Sequence, residues 1–134
     1  MNKIINIRNF LILINLYFIT NGFSQNYKHE LRYQPYENGF LIKNGTRKFN
    51  RALYGTNTAF RIETGDLPEF ALFTGDMGGN IKFGIFNKDK SKWITQFDSI
   101  EAQYIPGRMF YTLKDQIISG GYIKLTVFAM SDAE

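Results

Sequence analysis

Alternation of apolar and polar residues, the pattern of a strand with one face in a core, recurs along the chain after residue 37. The segments 58–63 (TAFRIE) and 122–129 (YIKLTVFA) both alternate in this way. The run 69–74 (EFALFT) is almost continuously apolar, as in a strand covered on both faces. Since no window shows a sustained helical period, the pattern predicts an all-β chain.

Short predicted strands follow one another with turn signals between them. They are 38–43, 49–54, 58–63, 69–74, 81–86, 93–97, 99–105, 108–113 and 122–129. Asn44-Gly45 favours a hairpin between the first two strands. The glycine-rich stretch 75–80 predicts a loop, 87–92 a charged turn and Pro106-Gly107 a tight turn. This spacing predicts an antiparallel β-sandwich of about 7–9 strands.

The first 24 residues have the order of features found in a secretory signal peptide. Lys3 and Arg8 precede the apolar run 10–19, and the small residues Gly22 and Ser24 follow it. The alternative is a buried first strand or helix of a cytosolic domain. We expect a signal peptide at 1–24 and a β-sandwich domain at 25–134, exported to the periplasm or the extracellular space. After cleavage we expect no attachment to a membrane.

Export changes the charge of the expected mature chain. The whole sequence has 16 basic and 12 acidic residues and a net charge of +4. Removal of Lys3 and Arg8 leaves 14 basic residues against the same 12 acidic ones, a net charge of +2. The remaining basic residues are scattered, whereas a nucleic-acid-binding module concentrates them on one face. We therefore expect no nucleic-acid partner.

The chain has few residue types that hold metals or act as nucleophiles. It has no cysteine, which excludes a disulfide framework, a cysteine-based zinc site and a thiol nucleophile. Its single histidine, His29, lies in a polar stretch near the expected cleavage site. With one histidine, the chain cannot form a site in which several histidines hold a metal. We therefore predict no metal site and no cofactor.

Two other groups of residues suggest chemistry on carbohydrates. Glu63, Asp66 and Glu69 are close in sequence and are candidates for an acid/base pair, although such residues beside Gly and Pro are also common in turns. We assign no catalytic residue. Tyr54 and Trp93 are candidates for stacking on sugar rings, against the alternative that they are core or cross-strand aromatics.

Three segments resemble a known family. The stretch 49–73 (FNRALYGTNTAFRIETGDLPEFALF), with GDMGGNIKFGI and YIPGRMFYTLKD after it, is similar to the N-terminal region of the domain-of-unknown-function family DUF4450. The resemblance extends over about residues 31–134. It implies large exported bacterial proteins that resemble six-hairpin α/α-toroid glycosidases with an N-terminal β-sandwich, often associated with polysaccharide use.

The resemblance implies an accessory role. The chain would be the N-terminal β-sandwich of an exported, carbohydrate-active, glycoside-hydrolase-like protein, without the catalytic toroid. That C-terminal toroid would be its partner, and polysaccharide a second one. Candidate carbohydrate or domain-interface contacts are Arg51, Tyr54, Asn57, Arg61, Asp66 and Trp93. The alternatives are a stand-alone carbohydrate-binding module that uses exposed aromatics and a self-contained enzyme that uses Glu63, Asp66 or Glu69.

Overall fold

The computed structural model describes residues 32–57 and 59–130. The predicted signal peptide and His29 lie outside these ranges. The described residues belong to one compact unit. Within these ranges, no helix is long and apolar enough to cross a lipid bilayer.

The described residues form antiparallel sheets joined by short connections, so the predicted all-β sandwich is confirmed. The strands are β1 (Gln34–Tyr36), β2 (Gly39–Lys43), β3 (Arg51–Tyr54), β4 (Phe60–Thr64), β5 (Glu69–Thr74), β6 (Gly78–Lys82), β7 (Gly84–Asn87), β8 (Lys90–Trp93), β9 (Ser99–Ile105), β10 (Arg108–Lys114) and β11 (Ile123–Val127). One sheet has the order β1-β2-β9-β10-β11, a second has the order β3-β4-β5-β6, and β7 and β8 form a separate hairpin. The eleven described strands exceed the expected number.

The core lies between the two larger sheets. Met109, Tyr111 and Leu113 alternate along β10 and are all buried. From the four-stranded sheet, Leu53 and Phe70 are buried as well, and the rings of Phe70 and Tyr111 meet edge to face at 5.8 Å. Burial of each such side chain stabilises the fold by about 1.5–3 kcal/mol. Alternation along the strands therefore produces the two packed layers.

The predicted Asn44-Gly45 hairpin is wrong. Strand β2 pairs with β1 and β9, while β3 pairs with β4, so this dipeptide carries the chain from one sheet to the other. The backbone N–H of Asn44 donates to the Ile100 carbonyl at 2.7 Å, and the Asn44 side chain accepts from the Ile100 N–H at 2.8 Å. Asn44 thus prolongs the pairing with β9 while its φ of 49° turns the chain away.

Three other element predictions are wrong, two of them where the strands have little burial. Strand β6 begins within the predicted loop 75–80, and β8 occupies most of the predicted turn 87–92. A 3₁₀ turn at Ile94–Gln96 replaces most of the strand predicted at 93–97. Every residue of β6 is exposed, and a strand without a buried face needs no apolar alternation. Strand β1, which is exposed throughout, was not predicted for the same reason.

Candidate functional site

Asp66 is an anchor inside the fold. Its side chain is 1% exposed. One carboxylate oxygen accepts from the Tyr33 hydroxyl at 2.7 Å, and the other accepts from Arg32 Nη2 at 2.8 Å and the Arg47 backbone N–H at 3.0 Å. A Cβ atom on Gly45 would lie 2.5 Å from this carboxylate, so the crossover chain needs glycine there. Asp66 therefore holds its own segment to that of Arg32 and Tyr33 and to that of Arg47.

The two neighbouring carboxylates are also held in ion pairs. Glu69 is buried and contacts Lys48 Nζ at 2.6 Å and Lys82 Nζ at 3.1 Å. The hydrogen bond from Lys48 is the main cause that lowers the pKa of Glu69. Glu63 pairs with Arg61 at 2.9 Å. A general acid needs a raised pKa, whereas the environment of Glu69 lowers its pKa.

Arg51 lies among aromatic rings that join the two sheets. Its guanidinium carbon is 4.2 Å from the ring centroid of Phe40, 5.0 Å from that of Tyr33 and 5.2 Å from that of Tyr104. Phe40 and Tyr104, on neighbouring strands, stack at 5.0 Å. The cation over these rings stabilises the packing between β3 and the five-stranded sheet.

Tyr54 and Arg61 share the outer face of the four-stranded sheet. They are cross-strand partners, and Arg61 is in turn the partner of Phe73 on β5. The Arg61 guanidinium carbon lies 3.9 Å above the centroid of the Phe73 ring. Tyr54 is 56% exposed, and Asn57 is exposed in the connection that follows β3. Tyr54 and Arg61 therefore share one face of the sheet, while the other candidates Arg51, Asp66 and Trp93 lie elsewhere.

Trp93 belongs to an exposed aromatic surface on the β7–β8 hairpin, here called the hairpin platform. It consists of Trp93 and Phe86, which are 53% and 78% exposed and project from the same hairpin face. The cross-strand partner of Trp93 is Gly84 and that of Phe86 is Ser91, so neither ring is covered by a large partner. A cavity of about 490 Å³ adjoins the platform.

Three polar contacts attach the hairpin to the connections of the five-stranded sheet. Asn87 Nδ2 donates to the carbonyl of Ile117 at 2.9 Å. Lys92 Nζ donates to Asp98 at 2.9 Å and also at 2.5 Å to Asp115. These donations to its carboxylate partners raise the pKa of Lys92, that to Asp115 most. The backbone N–H of Ile117, followed by Lys92, lowers the pKa of Asp115 to about 2.

The opposite side of this hairpin borders a larger polar cavity of about 910 Å³, here called the hairpin cleft. Its charged lining consists of Lys88, Asp89, Lys90, Lys92, Asp98 and Asp115. Among the residues that the structure describes, no group of three or more His, Cys, Asp or Glu is arranged to hold a metal ion. The cleft therefore presents a mixture of cationic donors and anionic acceptors.

Sequence reasoning identified Trp93 but missed Phe86 and the cleft. The sequence predicts 87–92 as a charged turn. This prediction omits strand β8, and with it the pairing that places both rings on one face. The sequence did contain a signal for this hairpin. The segment that ends at Phe86 is close to Trp93, and the turn residues Lys88-Asp89 lie midway between Gly84 and Trp93. A symmetric pairing about that turn brings Gly84 opposite Trp93.

A family model matches residues 74–134, just under half of the chain. The family is DUF4450, a domain of unknown function. The match confirms the predicted resemblance to DUF4450 over this range, which contains β7, β8, the hairpin platform and both later motifs, GDMGGNIKFGI and YIPGRMFYTLKD. The stretch 49–73 precedes the matched range. Neither a curated protein nor a solved structure matches the chain.

Proposed function

We propose that this chain is the N-terminal accessory β-sandwich of an exported, carbohydrate-active, glycoside-hydrolase-like protein, and that it supports chemistry performed on another domain. The observation that carries the proposal is the use of the carboxylates. Asp66 and Glu69 are buried in contacts that hold chain segments together, and Glu63 is paired with Arg61. Residues with these structural tasks are not available as a glycosidase acid/base pair.

An exposed apolar region supports an accessory role beside a second domain. Strands β6 and β11 are each the last strand of their sheet. Between them lies a cavity of about 250 Å³, here called the edge slot, bordered by Ile81, Phe83 and Phe128. All three side chains are exposed. Apolar surface of this kind marks a place where a protein packs against a partner, and we propose the C-terminal toroid as that partner.

The accessory role is tested by assaying the purified chain against a panel of aryl-glycosides and polysaccharides. We expect no product above that of a protein-free blank. Turnover by the wild-type chain that Glu63→Gln removes, with thermal melting showing that the variant is folded, would contradict the proposal and favour the self-contained enzyme. In parallel, a dye that becomes fluorescent on apolar surfaces should bind the chain, and Phe83→Ser should reduce its binding. An unchanged signal would argue against the edge slot as the exposed apolar surface.

The hairpin platform favours a second candidate function, a carbohydrate-binding module. Two uncovered aromatic rings on one hairpin face suit the C–H faces of sugar rings, and large exposed aromatic groups mark binding surfaces. Affinity electrophoresis in polysaccharide gels tests this candidate. We expect retardation that Trp93→Ala abolishes. Tyr122→Ala, which removes another exposed aromatic outside the hairpin, should leave retardation unchanged. Retardation independent of Trp93 would exclude the platform.

A further inference from the structure

We propose that the outer side of strands β10 and β11 binds a linear acidic polysaccharide. This surface, here called the basic face, carries the exposed cations Arg108, Lys114 and Lys124. The site is separate from the hairpin platform. The inference rests on the proposed carbohydrate role only in taking the anionic polymer to be a polysaccharide.

Strand pairing brings these three cations onto one surface. The buried residues of β10 face the core, so Arg108, Thr112 and Lys114, which alternate with them, point outwards. Lys124 of β11 is the cross-strand partner of Thr112 and therefore shares this side of the sheet. At about 3.3 Å per residue and about 4.8 Å between strands, Lys124 lies about 8 Å from Lys114 and about 14 Å from Arg108. The pairing thus collects cations that are scattered in the sequence.

The positive charge of the basic face is not compensated by the fold. Among the described residues, Arg108, Lys114 and Lys124 have no partner in an ion pair. Strands β10 and β11 contain no Asp or Glu. On the neighbouring strand β9, Glu101 faces the same side but pairs with Lys43 at 3.3 Å. Three unpaired cations on one surface attract anions, and this defines the charge of the ligand.

The spacing of the cations favours a polymer over a small anion. Arg108 and Lys114 lie at the two ends of β10, about 20 Å apart along the strand. A small anion cannot contact both, whereas a chain with repeated negative groups can. Between them, Thr112 and the exposed Thr126 present hydroxyl groups, which can donate to and accept from the hydroxyl groups of a sugar. Cations separated by hydroxyl groups match a sugar chain that bears acidic groups.

The aromatic rings of this surface favour a polysaccharide over a single-stranded nucleic acid, which stacks its bases on exposed rings. The Arg108 guanidinium carbon lies 5.7 Å from the centroid of the Phe128 ring, and Lys124 Nζ lies 5.4 Å from that of Tyr122. These rings at the margin therefore hold the two cations in place for an anion. Phe110, in the middle of the basic face, is half-buried. The centre of the face thus has no exposed ring on which a base would stack.

Calorimetric titration of the chain with polygalacturonate at low ionic strength tests the proposal. We expect binding that weakens steeply as salt is added, because opposite charges supply the attraction. The double variant Arg108→Gln, Lys124→Gln should lower the affinity by about fivefold or more. The matched control is Arg47→Gln, Lys88→Gln, which removes the same charge from exposed positions outside the basic face and should lower the affinity by less than about twofold. Thermal melting establishes that each variant is folded.

Three results would overturn the inference. Equal losses of affinity in the two double variants would show that net charge, and not the basic face, supplies the attraction. Tighter binding of single-stranded oligothymidylate than of polygalacturonate of equal charge would assign the face to a nucleic acid. Failure to bind polygalacturonate at low salt would overturn the inference and leave the accessory role standing, because turnover tests that role. Since the basic face would also retard the chain in acidic gels, the hairpin platform is tested in gels of neutral polysaccharides.

Discussion

Trp93 lies directly opposite Gly84 across the β7–β8 hairpin, and a Cβ atom at position 84 would lie 3.3 Å from its indole ring. Any larger residue at position 84 would cover part of the ring. Because position 84 has no side chain, this part of the indole is not covered by its cross-strand partner. The pairing therefore provides a way to block the platform without removing the tryptophan.

Replacement of Gly84 by valine should block binding by covering the ring. We expect Gly84→Val to weaken polysaccharide affinity at least fivefold, while tryptophan fluorescence reports that Trp93 is still present. Gly79→Val is the matched control, because a Cβ atom on this strand glycine would meet no atom within 4 Å. Equal affinities for the wild type and both variants, measured by affinity electrophoresis, would show that the indole face is not used.

Replacement of Lys88 by glycine should raise the stability of the chain. Glycine removes the strain of a φ of 52° and should stabilise the chain by about 0.5–1 kcal/mol. Chemical denaturation measures the effect. An unchanged or lower free energy of unfolding would show that the backbone at Lys88 is not strained.

Removal of the Asp66 charge should destabilise the fold without a direct effect on the hairpin. We expect Asp66→Asn to lower the free energy of unfolding by about 2–3 kcal/mol, because an amide cannot accept from Tyr33, Arg32 and Arg47 at once. Asp76→Asn, at an exposed site, should change it by less than about 0.5 kcal/mol. Urea denaturation gives both values, and a neutral Asp66→Asn would contradict the anchor role.

Acid should weaken the attachment of the hairpin through Asp115. Its pKa is lowered from 3.8 to about 2 in the folded chain, mainly by the N–H of Ile117 and then by Lys92. The stabilisation from this shift is present above pH 3.8 and is lost as the pH falls towards about 2. Asp115→Asn should therefore have a melting temperature that falls less over this interval than that of the wild type. Parallel curves would exclude Asp115 as a source of acid sensitivity.

The pattern of apolar and polar residues predicts strands correctly where one strand face is buried. The predicted segments 69–74 and 99–105 coincide with β5 and β9, whose packing requires the apolar pattern that the sequence displays. It failed at Asn44-Gly45, because the local turn preference of this pair cannot show that the next pairing partner is Ile100, far along the chain. Long-range pairing decided the outcome there.

The candidate site was predictable only in part, for a similar reason. Trp93 and Tyr54 were selected as aromatics, and both are exposed. Arg51 and Asp66 were selected as polar motif residues, yet ring contacts and buried hydrogen bonds use them inside the fold. The partner ring Phe86 was missed, because it depends on a hairpin whose strands carry too few apolar residues to be recognised.

The central claim, that the chain supports carbohydrate chemistry without performing it, is tested most directly by incubating it with the panel of polysaccharides and measuring the release of reducing ends. The account predicts no release above that of a protein-free blank. Release by the wild-type chain above that blank would contradict the account.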